Sequence, residues 1–323
     1  MKPNLLIRAD GSTQIGLGHI FRCLALSQSL EDHYQITFVS KLLPSKLKSE
    51  FDTLTLKLKE IVDEEEFFHL LLPGLIVILD GYQFSTEFQK KIIRSGCRLC
   101  CIDDIYNREF AADLIINHSP GVTKENYIAK PDTQYALGTD YVLLRQAFIA
   151  YSKKDNIFKI PGSLFICFGG SDEQNLTVRV LDEAVKSGRF SEISIVTGPS
   201  YRNENELFHK SQVMDNVSYH QSLNEQQMAE RMAESEFAIV PASGILYESL
   251  ATGCKVISGT YIDNQKKVYE GFKSMDAIIE AGTFKSHDLH MAFEKIATFE
   301  AKKVIDGKSP ERLLSLFKKL SKN

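Results

Sequence analysis

Tryptophan is absent from this 323-residue chain, and so is any long run of apolar residues. The longest candidate, Phe67 to Leu79, is broken by His69, Pro73 and Gly74. It falls short of the roughly 20 residues that cross a bilayer, so no membrane association is expected. After Asn4 only Leu5, Leu6 and Ile7 precede Arg8 and Asp10, too few for a signal-peptide core. Charge of one sign is not in excess. Lys and Arg total 38 against 42 Asp and Glu, so a basic face for nucleic acid is not expected either. No Walker A loop is present, which disfavours a P-loop ATPase. The dinucleotide fingerprint is incomplete. Counting from Gly16, the third glycine position is Phe21, and the second strand runs out at Ser40 without an acid. No cofactor is expected.

The six cysteines make no metal or redox pattern. Most sit inside apolar runs, as reduced core cysteines do. Cys97 and Cys100 have redox spacing, but the pair opens an apolar run that reads as a strand, and a zinc site would need a second ligand pair. A reducing, cytoplasmic setting is expected, with no bound metal. At 43% hydrophobic and 25% charged residues the chain is globular rather than disordered, and its length suits two domains.

What is present is an alternation of apolar runs and helical segments, the pattern of a doubly wound α/β sheet. Strands are expected at 4–9, 35–40, 75–80, 99–103 and 113–117, with helices at 18–30 and 84–95. The polar stretch Lys153-Lys154-Asp155-Asn156, followed by Pro161-Gly162, reads as a boundary. It divides a domain at 1–150 from one at 151–323. The pattern then restarts with strands at 163–168, 193–196, 217–220, 237–240 and 255–258. The last helix, near 310–320, has an apolar stripe that suits packing back on the first domain. Each half opens with strand, glycine-rich loop and helix. Two such domains facing each other would form a cleft at the carboxyl ends of their strands, where α/β sheets bind ligands.

The loops supply the candidate site residues. Gly16 and Gly18 let backbone N–H groups approach an anion at a helix start. His19 is the most informative residue; the helix start favours its neutral form, and a neutral imidazole can take a proton from water. Arg22, three residues on, suits either a phosphate or a carboxylate. Asp80-Gly81-Tyr82 ends a buried strand; Asp80 suits a cap or turn as well as a site, and Tyr82 suits a hydrogen bond to substrate. Asp103-Asp104 end another strand and favour a structural role. In the second half, Gly169-Gly170-Ser171-Asp172 repeats the anion-loop logic, and Ser243-Gly244 opens a further helix. Glu248, one turn inside, suits the two hydroxyls of a ribose or simply the helix dipole. Asn264-Gln265 suits amide hydrogen bonds to a sugar.

Taken in order, these motifs resemble the PseG/SpsG family. The likeness rests on Arg8-Ala9-Asp10, Ile15-Gly16-Leu17-Gly18-His19, Arg22-Cys23-Leu24-Ala25-Leu26, Ile102-Asp103-Asp104, 113–117, 138–145, Phe168–Asp172, Asn175-Leu176-Thr177, Ser243-Gly244, Tyr247-Glu248 and Asn264-Gln265. It covers roughly residues 5–280. Gly81 stands where the family often has a bulkier residue. The resemblance implies a GT-B-like α/β architecture of two Rossmann-like, doubly wound domains across a cleft. It implies an inverting, metal-independent hydrolase that removes UDP from a 2,4-diacetamido-2,4,6-trideoxy sugar by C–O cleavage, in pseudaminic acid-type nonulosonate synthesis. By the same resemblance His19 falls on the general base, and Tyr82 and Asn264 are candidates for orienting water and sugar. Glu248 would hold the ribose, and backbone near Gly170, Ser171, Ser243 and Gly244 the diphosphate. Two other readings remain: a glycosyltransferase on the same fold, and a sugar-nucleotide binding protein without catalysis.

Overall fold

A computed structural model describes residues 2–12, 16–48, 51, 54, 56–170 and 172–322. The chain forms two compact units, Met1–Gln146 with Lys308–Asn323, and Ala147–Gly307. It passes from one to the other at the start of the helix Gln146–Ser152, a few residues before the polar stretch at 153–156. The last helix, Ser309–Leu320, belongs to the first unit. No described helix is long and apolar enough to cross a membrane.

The first unit is built on strands β1 (Asn4–Ala9), β2 (Gln35–Ser40), β3 (Lys57–Glu60), β4 (Ile76–Asp80), β5 (Arg98–Ile102), β6 (Glu109–Phe110), β7 (Leu114–Asn117), β8 (Ile128–Ala129) and β9 (Gln134–Leu137). Seven of them form a parallel sheet in the order β3-β2-β1-β4-β5-β7-β9, and β6 pairs with β8. Both faces of the sheet are covered, which is why β4 is apolar from Ile76 to Leu79. Side chains alternate between faces. Leu5, Ile7, Ile76 and Ile78 pack with Ile20, Cys23 and Leu24 of the helix Gly18–Leu30 and with Leu313, Phe317 and Leu320 of the last helix. Leu6, Val77 and Leu79 pack on the other side with Phe67, Phe84 and Ile92.

The second unit repeats the plan. Its strands are β10 (Ile160–Ile166), β11 (Glu192–Thr197), β12 (Val217–Gln221), β13 (Ser235–Pro241), β14 (Lys255–Gly259) and β15 (Ile278–Glu280). They form a parallel sheet in the order β12-β11-β10-β13-β14-β15. Leu164, Ile166, Ile193, Ile195, Ile239 and Ile257 are core residues together with Leu176, Val180 and Leu181 of the helix Leu176–Ser187. In each sheet the winding reverses beside the first strand, between β1 and β4 and between β10 and β13. Loops leaving the carboxyl ends of such neighbours splay apart, which opens a ligand crevice there.

The expected strands all exist, with ends moved by a few residues. β3, β6, β8, β9 and β15 were not expected. All six cysteines are free and buried. Cys97, half of the redox-spaced pair, donates from Sγ to the Leu72 carbonyl oxygen at 3.3 Å.

Candidate functional site

The reversal point of the first unit gathers the loop after β1 and the loop after β4. The helix Gly18–Leu30 starts without a side-chain cap at Leu17. Gly16 has φ +86°, and a Cβ on either Gly16 or Gly18 would meet nothing within 4 Å. The helix start is therefore open-faced among the described residues, as the anion-loop reading requires. Ile15 lies outside them.

Strand parity brings Asp80 to this helix. It follows Ile76 and Ile78 on the face that the helix covers, and there it meets His19, Arg22 and Cys23, which share one helical face. Asp80 is fully buried. Its Oδ1 accepts from His19 Nδ1 at 2.7 Å and from Arg22 Nη2 at 2.5 Å. Its Oδ2 accepts from Arg22 Nε at 2.6 Å and from the Cys23 thiol at 3.5 Å. Arg22 thus grips the carboxylate side-on, with Nε and Nη2 on its two oxygens. Arg22 Nη2 also lies 3.0 Å from His19 Nδ1. That nitrogen cannot accept from Arg22 while donating to Asp80; its short contact with the carboxylate puts the proton on Nδ1 and leaves the Nε2 lone pair facing away. Burial opposes the charge on Asp80, but Arg22 and His19 outweigh it and hold the carboxyl well below its usual range. Asp80 is neither a cap nor a turn acid, and Arg22 serves carboxylates.

Tyr82 completes the cluster. Its ring meets the His19 ring edge-on, with centroids 4.9 Å apart at 82°. Its hydroxyl donates to Asp104 Oδ2 at 3.1 Å, and Arg22 Nη1 donates to the same oxygen at 2.8 Å. Burial, and then the Asp104 charge, push the phenol's pKa up, so it stays a proton donor. Asp103 turns away. Its Oδ2 accepts from the Tyr106 backbone N–H at 2.7 Å and from the Tyr127 hydroxyl at 3.0 Å. His118, after β7, was not singled out in the sequence. Its Nδ1 accepts from the Leu143 N–H at 3.1 Å. Burial, and then the Arg22 charge, hold it down to about 4, so it is neutral at physiological pH with its proton on Nε2.

In the second unit the loops after β10, β13 and β14 leave three neighbouring strands at their carboxyl ends. A Cβ on Gly198, after β11, would lie 2.5 Å from Gly170 Cα, so only glycine allows these loops to touch. Ser171 lies outside the described residues. Asp172 is 4% exposed and turned into its own helix. It accepts from Leu176 N (2.9 Å), Thr177 N (2.8 Å) and Thr177 Oγ1 (2.6 Å). Its carboxylate is thus engaged as a cap, and the binding expectation for Asp172 gives way to that role. Ser243 opens the helix Gly244–Ala251 without a side-chain cap, and Gly244 has open space above it. Glu248 is half-buried one turn on. Burial, and then the Glu248 and Asp172 charges, push the Cys167 thiol up to about 12 against a hydrogen bond from the Gly169 backbone. Gln265 is 3% exposed, and its Oε1 accepts from Tyr261 N at 2.9 Å. It braces the turn that carries Asn264, which is exposed.

No protein-family model matches the chain. An uncharacterized protein of Methanocaldococcus jannaschii is 26% identical over 320 residues, 92% of this chain; the chain spans 65% of that protein's length. UDP-2,4-diacetamido-2,4,6-trideoxy-beta-L-altropyranose hydrolase of Campylobacter jejuni is 27% identical over 81% of this chain and 93% of its own. The spore coat polysaccharide biosynthesis protein SpsG of Bacillus subtilis is 22% identical over 85% of this chain and 83% of its own. The chain is similar to the PseG/SpsG proteins. Among solved structures, MurG of Acinetobacter baumannii superposes with a TM-score of 0.65 at 13% identity, covering 99% of this chain and all of that one. UDP-GlcNAc 2-epimerase of M. jannaschii gives 0.63 at 13%, with the same coverage. The chain therefore has the GT-B fold, α/β with two Rossmann-like units.

The structure brings His19, Arg22 and Tyr82 together, with Gly16 and Gly18 at the same helix start. Sequence reasoning left Asp80 undecided and favoured a structural role for Asp104; both join the cluster. The signal for Asp80 was available in the parity of 76, 78 and 80 and the spacing of 19, 22 and 23.

Proposed function

We propose that this chain is an inverting hydrolase that removes UDP from a nucleotide-activated 2,4-diacetamido-2,4,6-trideoxy sugar. The observation that carries the reading is the imidazole of His19, tethered through Nδ1 to buried Asp80, with Nε2 on the far side of the ring from that carboxylate and the Tyr82 ring against it. The Campylobacter relative's activity supports it. In this mechanism His19 Nε2 takes a proton from water as the water oxygen bonds to the anomeric carbon. The bond from that carbon to the UDP oxygen breaks, and UDP leaves with the electron pair. Asp80 holds the imidazole in the reactive tautomer and balances the charge it gains. Tyr82 and Asn264 orient water and sugar. In the second unit, Gly170, Ser171 and the start of the helix Gly244–Ala251 meet the diphosphate charge through backbone N–H groups, and Glu248 accepts the ribose hydroxyls.

The test is an NMR time course in oxygen-18 water with EDTA, the 2,4-diacetamido UDP-sugar and no acceptor. The proposal expects label on the sugar's anomeric oxygen and none in UDP. Label in UDP would mean P–O cleavage and would overturn it. His19→Ala should abolish turnover and keep UDP affinity. Because glycosyltransferases such as MurG share the fold, the second reading is a transferase. It is favoured if UDP appears only when an acceptor alcohol is added. A chain that binds the UDP-sugar and turns over under neither condition would be a binding protein.

A further inference from the structure

The segment Gly81–Phe84 carries Tyr82 to His19. We propose that Arg108 is a positioning residue that sets Tyr82 against His19 and Asp104 by gripping this segment's backbone. The inference deepens the hydrolase reading, and its kinetic arm rests on that reading. Arg108 Nη1 donates to the Phe84 carbonyl at 2.7 Å, and Nη2 donates to the Tyr82 carbonyl at 2.8 Å. One planar group therefore brackets the loop at two alternate residues, a geometry an ammonium cannot copy. Its Nε donates to Asn107 Oδ1 at 3.3 Å. From the other side, Gln83 Nε2 donates to Asp10 Oδ2 at 3.1 Å and ties the loop to the end of β1.

These ties matter because packing beneath the loop is thin. A cavity of about 20 Å³ lies there, bounded by Gly81, Tyr82, Phe84, Asp103 and Arg108, about the room of one water. Gly81 adds freedom, with φ +153°, a value that side chains other than glycine's rarely allow. Phe84 anchors the far end of the loop in the core, and between Gly81 and Phe84 the backbone is located by its hydrogen bonds. If the Arg108 grip is lost, a shift of about 1 Å takes the 3.1 Å bond to Asp104 beyond hydrogen-bond reach and loosens the edge contact with His19.

The experiment has two arms. In the first, Arg108→Met keeps the apolar stem and removes the fork. Misplacement on this scale costs up to about 10²-fold, so kcat should fall roughly ten- to hundredfold while KM stays within about threefold. Arg108→Lys, which reaches one carbonyl, should recover part of the loss. A merely structural arginine would lower the melting temperature and leave kcat of the folded enzyme unchanged. The second arm needs no substrate. The His19 ring resonances of nitrogen-15 protein, assigned by their loss in His19→Gln, are compared in wild type, Tyr82→Leu, Arg108→Met and the exposed control Arg202→Met. The His19 signals in Arg108→Met should move towards those of Tyr82→Leu, and the control should match wild type. Unmoved His19 signals in folded Arg108→Met overturn the proposal. If Arg108→Met fails to fold, the same signals are read in Arg108→Lys. A wild-type enzyme without turnover would end the hydrolase reading and leave this arm to decide on Arg108.

Discussion

Replacing Asp80 with asparagine changes almost no volume and tests the whole cluster. The carboxylate accepts three N–H bonds and one thiol contact, all buried. An amide has one acceptor and one donor end. With its oxygen towards His19 Nδ1 and Arg22 Nη2, its NH₂ faces Arg22 Nε; flipped, it faces the other two donors. In either pose a donor meets a donor, and the Arg22 charge keeps only Asp104. Breaking a buried ion pair from one side costs about 3–5 kcal/mol, and the remaining Asp104 bond places this case near the lower figure, about 3 kcal/mol. That is a large part of a typical total of about 5–15 kcal/mol, and urea unfolding would read it directly. Under the hydrolase reading, turnover should fall by roughly 10³–10⁴, the cost of losing the group that fixes an imidazole's tautomer.

Acid titration gives a second, signed check on the same residue. The folded carboxyl titrates below its ordinary value of 3.8, because Arg22 and His19 outweigh burial. The unfolded chain therefore takes up the proton first. The stabilisation from Asp80 is complete above about pH 5. It is lost as pH falls below about 4, at about 1.4 kcal/mol per unit, until the folded carboxyl itself protonates. The stability gap between wild type and Asp80→Asn should narrow as pH falls below 4. A gap under about 1 kcal/mol at pH 7, with turnover within threefold of wild type, would refute the dyad.

Three further outcomes follow from the second unit. Asp172→Ala should lower stability by about 1–2 kcal/mol through loss of the cap on the helix Leu176–Ser187, measured by urea unfolding. Gly198→Ala places a methyl 2.5 Å from Gly170 Cα, so it should cost about 1–3 kcal/mol and weaken UDP binding together, seen by calorimetry. Glu248→Ala should weaken UDP binding by about tenfold or more and leave the melting temperature nearly unchanged; unchanged affinity would remove Glu248 from the ribose site.

Much of this architecture was legible in residue patterns, for physical reasons that also explain the gaps. The helix Gly18–Leu30 has the expected bounds, because apolar periodicity starts after a glycine loop at one end and stops at the other. β3 was missed because Lys57-Leu58-Lys59-Glu60 is an edge strand whose charges face water, so no apolar run marks it. β15 has only three residues. At the site, His19 stood out by its place at a helix start. Asp80 did not, because a carboxylate after an apolar strand reads equally well as a cap, and only its pairing partners separate the two. Asp172 shows the reverse. Its loop looked like an anion site, but its side chain caps the helix four and five residues on. Arg108 belongs to no motif, since it acts on backbone carbonyls 24 and 26 residues away.

The last helix carries a consequence for biosynthesis. Leu313, Phe317 and Leu320 complete the core of the first unit, and Tyr34 meets Phe317 edge-on and shares a hydrogen bond with Ser321. These residues are translated after the entire second unit. At about 5–20 residues per second, the nascent first unit waits on the order of ten to thirty seconds with one side of its core uncovered. The second unit is continuous in sequence and needs no such wait. On the ribosome the order of completion is therefore reversed: the segment made first is the last to be finished.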